Sequence, residues 1–168
     1  MSIREESAPF NYKISDVQVV WRQNSSLEIQ ISRVAQGYKP TVTEEDRAKA
    51  RDGFQYLMTA ISPVSVAELS ARLKDNGQTV VSTTQNAKTL IRIRPVKGLT
   101  ECGPVLCTHN LAMEVSVADL ASRKEIWRGG FRVGMPVFGE LAQNTVDPRI
   151  VESFVDSIIS ALKRERFI

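Results

Sequence analysis

Three stretches in the second half of the chain alternate strictly between apolar and polar residues. In "TLIRIRPV" (residues 89–96), Ile91 and Ile93 fall on one side and Arg92 and Arg94 on the other. In "LAMEVSVADL" (111–120), Leu111, Met113, Val115 and Val117 share a side. In "EIWRGGFRV" (125–133), Trp127, Phe131 and Val133 share one, with Arg128 and Arg132 opposite. A period of two sends successive side chains to opposite faces of a strand. Repetition of one greasy and one polar face predicts a mainly antiparallel sheet covered on a single side.

Helices must supply that cover, and two regions have the right period. Thr43 followed by Asp46 has the spacing of a capping box, and Glu44 and Glu45 suit the positive end of a helix. Phe54, Leu57, Met58 and Ile61 then fall at helical spacing, although Gly53 weakens the run. Ser62-Pro63 predicts a break and a restart. Val66, Leu69 and Leu73 continue the stripe to Asn76-Gly77, a pair suited to a helix end. A last helix starts at Asp147-Pro148. It carries Ile150, Val151, Phe154, Val155, Ile158, Ile159 and Leu162 on one side, with Lys163, Arg164 and Arg166 at its negative end.

Ahead of these, "DVQVVWR" (16–22) and "LEIQISRV" (27–34) both alternate, as a hairpin or as one interrupted strand. "TVVSTT" (79–84) predicts a further short strand. Residues 1–13 are polar and aperiodic and read as a flexible arm before a single domain over 14–168. The element order predicts an α+β two-layer sandwich, its helices packed on one face of the sheet. At 168 residues the chain is long enough for a core of its own.

The templates of common enzymes are missing. There is no Gly-Lys-Ser/Thr for a phosphate loop and no Gly-x-Ser-x-Gly elbow, and a single histidine excludes His-Glu-x-x-His. "GGFRVG" (129–134) lies within a strand pattern and lacks dinucleotide-binding spacing. Glu44, Glu45 and Asp46 are explained by the helix start, and Asp119 by the turn "ASRKE" that follows it. No catalytic residue, metal site or cofactor is expected. A net charge of +3 points to neither nucleic acid nor a membrane surface. The α–β–β–β–α suborder invites comparison with double-stranded-RNA-binding domains, but the last helix begins "DPRIVES", which is not basic.

Two surfaces stand out. Arg92, Arg94, Arg128 and Arg132 all point away from the apolar side of their strands. If the strands lie close, they form a basic face that is either plain solvated surface or a partner- or anion-binding site. The segment "GMPVFGELAQNTV" (134–146) reads as a loop. Its Met135, Val137, Phe138 and Leu141 either dock against a partner or fold over the end of the core.

"TECGPVLCTHNL" (100–111) holds both cysteines and the only histidine, His109. C-x4-C-x-H offers too few ligands for a usual zinc site, and the spacing is not that of a redox motif. Cys102 and Cys107 flank a Gly-Pro turn, as free thiols or as a disulfide across a hairpin. A bridge over so short a loop contributes about 2 kcal/mol and persists only in an oxidising compartment. The start "MSIREESAPFNY" has no signal-peptide core, which fits a cytoplasmic chain or one whose signal has been removed.

Taken together, "DVQVVW", "LKDNGQTVV", "LIRIRPV", "LAMEVSVADLASRKEIWRGGF" and the final amphipathic helix resemble the soluble domains of small Gram-negative outer-membrane lipoproteins. These are the LptE-like and related envelope accessory lipoproteins, and the resemblance covers residues 14–168. It implies a non-enzymatic periplasmic protein, anchored to the outer membrane by a lipid absent from this sequence. Such a protein assists assembly or transport by binding an envelope protein or a lipid-linked ligand. The alternative is a cytoplasmic nucleic-acid- or ligand-binding domain.

Overall fold

A computed structural model describes residues 11–24, 26–33, 41–103, 107–137 and 146–168. The predicted alternation becomes one five-stranded sheet. Its strands are β1 (Val17–Trp21), β2 (Glu28–Arg33), β3 (Thr89–Cys102), β4 (Cys107–Asp119) and β5 (Lys124–Val137). β3, β4 and β5 run antiparallel in sequence order. β1 and β2 both lie parallel to β3 on its other side, β1 against residues 89–93 and β2 against residues 97–102. They are one interrupted edge strand, not a hairpin. The interruption falls opposite Pro95, which has no N–H to donate. There β3 also shifts register towards β4, and the side-chain amide of Asn24 caps the Pro95 carbonyl at 3.1 Å.

α1 (Glu44–Asp75) and α2 (Pro148–Arg164) cover one face of the sheet, giving the α+β two-layer sandwich. The Thr43/Asp46 capping box opens α1, and Asp147 caps α2 by accepting from the Arg149 N–H. The break predicted at Ser62-Pro63 does not occur, and α1 runs through Pro63. A proline inside a helix costs about 3 kcal/mol. The stripe Phe54, Leu57, Met58, Ile61, Leu69 and Leu73, buried on both sides of Pro63, offsets that by packing as one surface. The predicted strand at 79–84 also fails. It is reduced to a single bridge between Val17 and Val80 followed by a 3-10 turn, Thr84–Asn86.

The core lies between the layers. Ile91, Ile93, Val115 and Val117 are fully buried from the sheet, as are Leu57, Leu73, Ile158 and Leu162 from the helices. Aromatic rings close the β5 side, where Trp127 and Phe131 meet edge to face and Phe131 meets Phe154. Gly129 makes this possible, because a Cβ there would stand 2.5 Å from the Trp127 ring. Tyr12 and Lys13, read above as part of the arm, contact the body. The Tyr12 hydroxyl bonds to Thr89 Oγ1 at 2.8 Å, and Lys13 Nζ donates to the Arg166 carbonyl.

The β3–β4 hairpin is longer than the sequence pattern indicated. The bulge at Val96 shifts the inward phase by one residue, so Gly98 and Thr100 face the core beyond it. Thr100 pairs with His109, and Cys102 with Cys107 at the tip. His109 belongs to the inward side of this hairpin. It is buried, hydrogen-bonded through Nδ1 to Thr100 Oγ1 at 2.8 Å, and packed against the Phe54 ring.

Candidate functional site

The face away from the helices carries the charged half of the alternation. Register fixes its layout as two adjacent rows across the strands. One row runs Val20, Arg92, Ser116, Arg128. The next contains Arg94, Glu114 and Gly130, and Arg22 follows β1 at its near end, its N–H bonded to the Ile93 carbonyl. Arg22, Arg92, Arg94 and Arg128 converge with Glu114, Ser116 and Glu125 around a depression of about 250 Å³.

The carboxylates hold two of the arginines. Arg128 grips Glu125 with a two-pronged contact, Nε to Oε1 at 2.6 Å and Nη2 to Oε2 at 2.8 Å. Its Nη1 also lies 3.6 Å from Glu114, whose other oxygen is 3.6 Å from Arg94 Nη2. The hydrogen bonds from Arg128 hold the Glu125 carboxyl below the usual carboxylate range, and the charge of Arg92 adds to this. The same bond raises Arg128 further above its ordinary value. The guanidinium groups of Arg22 and Arg92 form no hydrogen bond or ion pair among the described residues.

Three of the four arginines singled out from the sequence thus share one depression. Arg132 does not border it. It stands opposite Ala112, one pair further along β5, and lines a neighbouring hollow of about 550 Å³ with Arg128, Gly130 and Ala112. Sequence reasoning missed Arg22, Glu114, Ser116 and Glu125. The signal for the first three was present. Val17, Val19 and Trp21 inward put Arg22 outward, and the inward set of β4 puts Glu114 and Ser116 outward. Strand order, which the sequence does not state, was needed to join them.

The other candidates separate. Cys102 and Cys107 form a disulfide at the hairpin tip. Residues 134–137 belong to β5 and not to a loop, Met135 opposite His109 and Val137 opposite Cys107. Pro136 lies within β5, an edge strand, where proline is tolerated. Phe138 and Leu141 lie outside the described residues.

No protein-family model matches the chain, and no curated protein matches it in sequence. Several solved structures are similar to it. A lipoprotein from Neisseria meningitidis is 13% identical over 89% of this chain and 99% of its own, with a TM-score of 0.37. A Xanthomonas campestris protein of the DUF330 family is 10% identical over 92% of this chain and 82% of its own, with a TM-score of 0.40. The PelC dodecamer from Paraburkholderia phytofirmans is 10% identical over 87% of each chain, with a TM-score of 0.38. At these identities and scores no ligand, partner or residue role passes from them to this chain.

Proposed function

We propose that this chain is a non-enzymatic protein of the Gram-negative cell envelope that binds a partner through the open, arginine-bearing face of its sheet. The observation that carries the binding role is the crowding of Arg22, Arg92, Arg94 and Arg128 into two adjacent rows with only Glu114 and Glu125 between them. Glu114 and Glu125 balance Arg94 and Arg128. A bound acidic group would balance the remaining charges, those of Arg22 and Arg92. The Cys102–Cys107 disulfide supports an oxidising compartment, the periplasm. A lipid anchor at the outer membrane and a role in assembly or transport follow from the sequence resemblance to envelope accessory lipoproteins.

The test is charge reversal in the native host. Arg92→Glu combined with Arg94→Glu is expected to abolish recovery of the crosslinked partner and to weaken the envelope. Unchanged recovery and unchanged integrity would sink the reading.

A further inference from the structure

We infer that the depression over Ser116 is a seat for a tetrahedral dianion, the phosphate group of a larger ligand. This deepens the reading of the arginine face as a binding surface and rests on it. Ser116 lies on the central strand β4, between Arg92 of β3 and Arg128 of β5 in the same row. It is 9% exposed, and its hydroxyl has no hydrogen-bond partner among the described residues. The hydroxyl borders a depression walled by guanidinium groups and can donate to an acceptor placed there.

Charge selects the acceptor. Four guanidiniums and two carboxylates leave two positive charges over. Glu114 and Glu125 already fix Arg94 and Arg128, so the unpaired charges are those of Arg22 and Arg92. A dianion neutralises both, whereas a carboxylate neutralises one. The planar fork of arginine also matches pairs of phosphate oxygens. At about 250 Å³ the depression has room for a phosphate group together with atoms attached to it. Beside it the sheet surface is bare. Gly130 faces open space, Ala112 is small, and Arg132 bounds the hollow they leave. That hollow holds the part of the ligand to which the phosphate is attached.

Calorimetric titration of the full chain at low salt tests this with inorganic phosphate, sulfate and acetate. Phosphate and sulfate are expected to bind at least about tenfold more tightly than acetate, and Arg92→Gln and Ser116→Ala each to weaken phosphate by about tenfold. Lys163→Gln on α2 should leave binding unchanged, and melting curves confirm that each variant is folded. Sedimentation with phosphatidylcholine vesicles, plain or carrying phosphatidic acid, separates the sources. Acid-dependent binding competed by inorganic phosphate assigns a lipid headgroup, and phosphate binding without vesicle binding assigns a soluble phosphate; both support the seat. Phosphate binding no tighter than acetate overturns it, as does indifference to Arg92→Gln or to Ser116→Ala. If phosphate fails while Arg92→Glu/Arg94→Glu still abolishes partner recovery, the binding face stands and only the phosphate chemistry falls.

Discussion

The imidazole of His109 lies against the backbone of Gly53: a Cβ built there would stand 2.8 Å from Nε2. The glycine that weakens α1 as a helix is thus the place where the β3–β4 hairpin presses into it. Alanine favours a helix over glycine by about 1 kcal/mol. Gly53→Ala would therefore stabilise the chain if the site were open. It is instead expected to destabilise by about 1–3 kcal/mol, the usual cost of overpacking. Urea denaturation measures this, and Gly53→Ala with His109→Ala together should cost less than the two single changes summed.

Burial pulls His109 below the ordinary imidazole range. The folded chain keeps the ring neutral at pH values where the unfolded chain, with a pKa of about 6.5, takes up a proton. The ring's contribution is therefore intact above about pH 6.5 and is lost as pH falls from there towards the depressed folded value. Stability should decline between pH 7 and pH 5 in the wild type, and His109→Gln should flatten that part of the profile. An identical decline in both proteins would assign the effect to other groups.

The disulfide gives two linked expectations. Protein taken from its native compartment should show no free thiol before reduction and two after it. Two free thiols at the outset would count against the periplasm. Cys102 and Cys107 are five positions apart, so reduction should lower stability by only about 2 kcal/mol on the loop-entropy account. The reduced chain should remain folded by circular dichroism.

Phe167 ties the C-terminal end to the N-terminal segment. Its ring is buried and meets Tyr12 and Trp127 edge to face, and its carbonyl accepts from the Ile14 N–H at 3.2 Å. Phe167→Ala should cost about 3–5 kcal/mol. Hydrogen exchange at the Ile14 amide should accelerate more than at amides of β4. A uniform increase would mean that the segment does not depend on this ring.

Much of the architecture was legible because alternation is a local property. Ile91 and Ile93 inward, Arg92 and Arg94 outward, and the capping pairs at Thr43 and Asp147 each needed only near neighbours in sequence. Pro63 was misread because tertiary packing decides what a proline inside a helix costs. The reach of β3 past residue 96 was hidden by the Val96 bulge, which breaks the period of two. The arginine depression was half visible. Side-chain parity was in the sequence, but Arg22 joins Arg92 and Arg128 only through a parallel pairing of β1 that no local pattern signals.

Residues 12–14 dock where β3 begins and β4 ends, beside Thr89 and Asp119. The bridged pair Cys102–Cys107 sits at the other end of the same two strands. At about 3.3 Å per residue, thirteen residues of β3 separate the two ends by roughly 40 Å. A tether acting on the chain at Tyr12 would therefore hold one end of a bar. The arginine depression lies towards the Tyr12 end and the stapled tip at the far one, so the same sheet that displays the charges would also set how far the tip could reach.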